Sequence, residues 1–129
     1  MTQTTASKNI SAPKYGETAW LWLVKIVTGP LLVIFVLIHF IVNHFTAENG
    51  LLTYADVIAY YKNPLIPAME ICFLAVVVTH SLIGLRGIIL DLKPSRSTLK
   101  IVDWILVILG VTAVSYGTWL ALTIASTGI

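Results

Sequence analysis

Charge is what this sequence has least of. Only 11% of its 129 residues are Asp, Glu, Lys or Arg, whereas 57% are hydrophobic. A soluble domain carries about a quarter charged residues, so that class is excluded. The mean hydropathy of +0.90 points to an integral membrane protein. Cysteine is nearly absent. A lone Cys72 excludes a disulfide framework and any paired-cysteine metal site, and within its apolar run it reads as a small buried hydrophobe. The net charge of +2 is too small to engage nucleic acid. The polar segment 1–17 contains no apolar stretch followed by a cleavage site, so it reads as a cytoplasmic tail rather than a signal peptide.

What remains, residues 18–129, reads as one transmembrane domain. Three stretches, about 20–45, 64–92 and 99–125, supply the roughly 20 apolar residues a crossing needs. Gly29-Pro30 is a kink point in the first. Lys8 and Lys14 precede the first span, and Lys93, Arg96 and Lys100 lie between the second and third. The intervening linker has only Lys62, beside Glu48 and Asp56. Basic loops stay inside, which predicts a cytoplasmic N-terminus and an outside C-terminus. Tyr15, Trp20 and Trp22 form the inner aromatic belt. Tyr54, Tyr60 and Tyr61 form the outer one, on a short interfacial helix near 53–61. The fold class is therefore all-α integral membrane. Three helices offer little interior in which to hide His39, Glu70, His80 and Arg86, so the expected unit is half of a larger bundle completed by a second subunit.

The richest phrase is residues 79–91, THSLIGLRGIILD. At about 100° per residue, Gly84 lies about 40° from His80, Gly87 about −20° and Asp91 about 20°. One face thus carries an imidazole, two residues without bulk, and a carboxylate at the lipid edge. An imidazole in a bilayer is a site hypothesis by default, and glycines leave room for a flat group such as haem. On the first span, His39 shares a polar stripe with Thr28 and Asn43, with Lys25 about 40° off the same line. His44, about 140° around from His39, sits near the outer end, within reach of water. At 1.5 Å per residue, His39 lies roughly 9 Å inside its outer end and His80 about 24 Å inside the same side, an offset of about 6–15 Å once tilt is allowed for. That offset favours two iron sites over one. Arg86 and Lys25 are placed to meet haem propionates.

Bland readings stand beside each of these. A membrane histidine also serves by hydrogen-bonding a carbonyl or hydroxyl on another helix. Arg86 also reads as a snorkelling side chain, and Gly84 and Gly87 as a close-packing surface. Glu70 reads either as a protonated carboxyl pairing with the outer end of the first span or as part of a proton relay. The stripe Thr112, Ser115, Tyr116, Trp119, Thr123 reads as a helix-packing seam.

Three patches resemble one family, the membrane-anchor cytochrome b subunits of succinate dehydrogenase and fumarate reductase (complex II). They are HFIVNHF from His39, Ala68-Met69-Glu70, and His80-Ser81-Leu82-Ile83-Gly84. The resemblance is to the split, di-haem type. It implies haem b, one or two, with His80 a ligand nearer the cytoplasm and His39 a ligand nearer the outside, each pair completed by a sister anchor subunit. It also implies an iron–sulfur subunit carrying an FAD flavoprotein, and electron delivery to menaquinone or ubiquinone. The setting implied is a bacterial or archaeal cytoplasmic membrane. In the single-haem branch an Asp-Tyr pair follows the haem histidine, whereas here Asp91 is followed by Leu92. Asp91 therefore stands as a candidate quinone-site residue or a contact for the iron–sulfur subunit. A haem-free scaffold subunit is the alternative reading.

Overall fold

The computed structural model describes residues 16–45 and 52–127. The expected tail up to Tyr15, with Lys8 and Lys14, lies outside the described residues, as does Glu48. The elements are α1 (Ala19–Phe45), α2 (Tyr54–Tyr61), α3 (Leu65–Asp91) and α4 (Arg96–Thr127). Three of them, α1, α3 and α4, are long and apolar enough to cross a membrane. This is an all-α integral membrane protein.

Local chemistry sets the breaks between helices. Thr53 caps α2 with a reciprocal box: its hydroxyl accepts from the Asp56 amide, and the Asp56 carboxylate accepts from the Thr53 amide at 2.8 Å. The Thr53 hydroxyl also donates to that carboxylate at 2.6 Å, and this bond, followed by the amide's, holds the Asp56 carboxyl below its usual range. At the other side, α3 stops where Lys93 takes a left-handed φ of 50°, and Pro94 then forbids continuation. Ser95 precedes α4, four residues before the third apolar stretch, its Oγ accepting from the Thr98 amide at 3.1 Å. Pro30 sits inside α1, so the carbonyl four residues earlier loses its usual donor.

The helices form a row rather than a closed bundle. Central α3 packs against α1 on one side and α4 on the other, and α1 and α4 make no packing contact with each other. The row is antiparallel, with α2 lying across the α3 and α4 ends remote from Lys93. Both faces of the row are consequently open, and many large apolar side chains are exposed along α1 and α4. Cys72 is exposed as well, not buried as its apolar surroundings suggest; it lies on a face of α3 that neither neighbour covers.

The α3–α4 seam is built from small residues. Leu106 and Ala121 are buried, and between them Gly110 and Gly117 admit α3 side chains. A Cβ on Gly110 would lie 2.8 Å from Leu82 Cδ1, and one on Gly117 would collide with Leu74. The stripe of Thr112, Ser115, Tyr116, Trp119 and Thr123 is therefore not the seam within this chain. All five are exposed, and the Thr123 hydroxyl is satisfied by the Trp119 carbonyl at 2.8 Å. Polarity marked that stripe, but close approach between helices is governed by missing side-chain bulk. Gly117→Val should cost about 1–3 kcal/mol by overpacking, read as a lowered melting temperature of the detergent-solubilised protein.

Candidate functional site

Two polar contacts tie α1 to α3, and each contains one histidine. Toward the Lys93 end, Thr28 Oγ1 lies 2.9 Å from His80 Nδ1. Toward the α2 end, His39 Nδ1 lies 3.1 Å from Glu70 Oε1. The residue sums, 28 plus 80 and 39 plus 70, differ by one, as antiparallel neighbours in a single register require. Eleven residues separate the contacts on α1 and ten on α3, so the two imidazoles stand about 15 Å apart along the helices. Two nitrogens on one metal lie only about 4 Å apart, with each bond near 2 Å. His39 and His80 of one chain therefore cannot share an iron.

The hydrogen-bond partners suit one tautomer of each ring, protonated at Nδ1. The Thr28 hydroxyl has one hydrogen, which it donates back to the Val24 carbonyl at 2.7 Å, the usual bond of a threonine inside a helix. With its hydrogen so placed, that oxygen accepts from a protonated His80 Nδ1. His80 Nε2 is then the bare nitrogen, the form that binds metals. At the second contact the same tautomer lets Glu70 Oε1 accept from His39 Nδ1 and leaves Nε2 bare. Asn43 Nδ2 donates to the His39 carbonyl at 2.7 Å and lies 3.3 Å from the same Nδ1. Among the described residues, no hydrogen bond reaches either Nε2.

Packing orients both rings. The His39 ring lies 5.1 Å from that of Phe73, which stacks in turn on Phe35 at 6.3 Å. The His39 side chain is 39% exposed, so the ring still opens onto an uncovered face. Gly29 backs His80: a Cβ there would stand 3.5 Å from Cε1. Gly84 has no atom within 4 Å of where its Cβ would be, and Gly87 has none either. Within this chain neither glycine receives a neighbouring side chain, although Gly87 is itself buried, and the space beside Gly84 is open. His44, by contrast, is exposed with its ring against Phe40 at 4.6 Å, apart from both contacts.

The cations expected near propionates have protein partners. Arg86 donates through Nε to Asp103 Oδ1 at 2.6 Å and through a terminal nitrogen to Oδ2 at 3.1 Å, a two-pronged pair between α3 and α4. Lys25 pairs with Glu17 at 2.6 Å. Sequence reasoning gave Asp103 no role, although it is the one acidic residue inside the third apolar stretch, and that placement was the available signal. Asp91 is exposed at the end of α3 and borders a hollow of about 890 Å³ with Leu90, Lys93, Pro94, Arg96 and Leu99.

Glu70 also faces the α2 end. The Tyr60 hydroxyl is buried beside Glu70, and no bond to it meets full hydrogen-bond geometry among the described residues. Burial, and then the nearby Glu70 charge, push the phenol up to about 12. Tyr61 is raised by the same two causes in the same order. Both remain neutral phenols beside the carboxylate at any physiological pH.

No three His, Cys, Asp or Glu side chains cluster among the described residues. A self-contained metal ion site of the usual three or four protein ligands is not what these residues make. The arrangement is that of a membrane helix layer presenting single imidazoles at two levels. Residues 2–126 match the family model for the succinate dehydrogenase/fumarate reductase transmembrane subunit. The succinate dehydrogenase hydrophobic membrane anchor subunit of Archaeoglobus fulgidus is 31% identical over 103 residues, covering 80% of this chain and 87% of the relative. The protein of the same description from Thermoplasma acidophilum is 29% identical over 99 residues, 77% and 80% of the two chains. No solved structure matches. This chain belongs to the succinate dehydrogenase/fumarate reductase transmembrane subunit family.

Proposed function

We propose that this chain is a membrane-anchor subunit of a succinate:quinone oxidoreductase, holding haem b and helping to form the quinone site. The observation that carries the reading is that His39 and His80 each bond through Nδ1, with no hydrogen bond at Nε2 among the described residues, and stand about 15 Å apart. Haem iron with axial imidazoles supplies reversible one-electron transfer. The chain itself carries no succinate chemistry. Thr28 and Glu70 aim the rings, Phe73 and Gly29 bound them, and the open space at Gly84 admits a flat group. The apolar helices exclude water and keep the surroundings low in dielectric.

The open row supports a second anchor subunit. A sister helix layer against the uncovered face would supply the opposite ligand at each level and cover the exposed part of His39. The rest of the apolar surface meets lipid. The end bearing Lys93, Arg96 and Lys100 is read as cytoplasmic by the basic-loop rule, which puts the C-terminus outside. The iron–sulfur subunit, with its FAD flavoprotein, docks at that end. The hollow beside Asp91, Lys93 and Arg96 is of ligand-pocket size and is the place for menaquinone or ubiquinone to approach. Arg86 and Lys25 reach propionates by exchanging or sharing their carboxylate partners. The membrane is the cytoplasmic membrane of a bacterium or archaeon.

The second reading, a haem-free scaffold, draws on the same contacts: Thr28–His80, His39–Glu70 and Arg86–Asp103 also satisfy these groups without a cofactor. A reduced-minus-oxidised spectrum of the purified complex separates the two. Sharp b-type bands are expected, and a colourless complex containing this subunit would leave the scaffold.

A further inference from the structure

The polar stripe of α4, which takes no part in packing within this chain, has the spacing of a seam between helices. We propose that α4 pairs with α4 of a second copy of this chain, along Leu109, Thr112, Tyr116, Trp119, Thr123 and Ser126. The proposal rests on the helical membrane fold and is independent of haem.

Direction separates this face from the others. At about 100° per residue, positions two apart on a helix point about 160° apart. Thr112, Trp119 and Thr123 each stand two residues after a member of the α3–α4 seam, namely Gly110, Gly117 and Ala121. The stripe is therefore turned away from α3, at the edge of the row, and all six side chains are exposed. His39 and His80, which call for the sister layer, lie between α1 and α3, so that layer leaves this edge uncovered. The intervals along the stripe alternate between three and four residues, repeating every seven. Two helices that meet along such a repeat wind into a left-handed pair, the prevailing crossing in membrane bundles. The seam is about 26 Å long, close to the hydrocarbon thickness of about 30 Å.

Lipid is a poor cover for it. Thr112 lies midway along α4, about 24 Å from Arg96, and Tyr116 about 6 Å further on. Both are deeper than the headgroup level where exposed tyrosines settle. Their hydroxyls make no hydrogen bond among the described residues, which is costly in hydrocarbon. The Thr123 and Ser126 hydroxyls donate to the Trp119 and Thr123 carbonyls at 2.8 and 2.7 Å, and their oxygens can still accept. A second copy suits these groups. Two copies in one membrane run the same way, so a two-fold axis along the membrane normal sets each residue at the depth of its counterpart. A hydroxyl both donates and accepts, so it can be satisfied by its own kind, whereas a charged group would meet its like. Arg96, Lys100 and Asp103 of α4 all lie at least about 120° around the helix from Thr112, leaving the seam uncharged. The Tyr116 and Trp119 rings, 5.9 Å apart, supply its apolar bulk.

The experiment is disulfide cross-linking of the whole complex in its native membrane with copper phenanthroline, in a Cys72→Ser background because Cys72 is exposed. Thr112→Cys, Thr123→Cys and Ser126→Cys should each give a band at twice the 14.1 kDa mass of this chain, since the two-fold brings each position to itself. Val33→Cys, exposed on α1, should not. Adding Thr112→Val and Tyr116→Phe to Ser126→Cys should remove most of that band, and the spectrum of the complex should stay as in wild type throughout. No doubled band at any of the three positions overturns the proposal, as does an equal yield at Val33→Cys. A band joining these positions to a different subunit overturns the choice of a second copy. An unchanged yield without the two hydroxyls overturns the pairing chemistry. If one cysteine variant fails to assemble, the other two decide. None of these outcomes touches the haem reading, which stands or falls on the spectrum.

Discussion

Replacing His80 with leucine should remove about half of the b-type absorbance of the complex, and replacing His39 should remove the other half. The expectation follows from the register of α1 against α3. With Thr28 opposite His80 and Glu70 opposite His39, the rings occupy levels about 15 Å apart, too far for one iron to hold both. Each substitution therefore deletes one ligand and leaves the other level intact. Leucine fills the volume without offering a lone pair, so the effect is on ligation and not on packing alone. Haem content by pyridine haemochrome and the reduced-minus-oxidised spectrum together check it. If either variant lost the whole signal, a single haem depending on both residues would be the better account. His44→Leu should leave the spectrum unchanged, since that ring stacks on Phe40 away from both contacts.

The second large effect is expected at Arg86 and Asp103. Their two-pronged pair joins α3 to α4 at 2.6 and 3.1 Å, with the Arg86 side chain 14% exposed and Asp103 41% exposed. Removing Asp103 alone strands a guanidinium in a largely apolar setting, where a buried charge without its partner costs about 3–5 kcal/mol. The exposure of Asp103 brings the expected cost down to about 2 kcal/mol, because solvent screens that partner. Asp103→Leu and Arg86→Leu should each lower the thermal stability of the solubilised complex. The double variant should be more stable than the sum of the single changes implies, since it leaves no unpaired charge. Additivity would mean that the two side chains act separately. Arg86→Leu adds a loss that the cycle resolves: a propionate partner at this level would make it costlier than Asp103→Leu in haem retention.

The balance between what could be read and what could not is clearest at the first span. Its polar stripe was visible at a glance: Thr28, His39 and Asn43 recur at helical spacing. Reading them as one stripe put Thr28 and His39 in a single environment. The structure divides them, sending Thr28 to His80 and His39 to Glu70. A period along one helix says which residues share a face, and it says nothing of what stands opposite. Glu70 was read as pairing with the outer end of the first span or serving a relay, and its partner there is His39. The third span shows the converse failure, where a polar stripe drew attention while Gly110 and Gly117 carried the packing.

The sequence by itself determined that this chain belongs in a membrane and which three stretches are long and apolar enough to cross it. Those are properties of local hydrophobicity and of single residues, and they need no neighbour to be legible. The open row of helices, the facing of each ring by a hydroxyl or a carboxylate, and the pairing of Arg86 with Asp103 came only from the tertiary structure. They depend on the antiparallel register of α3 against α1 and α4. That register is set by many small side-chain fits summed across whole helices, and no short stretch of sequence records such a sum.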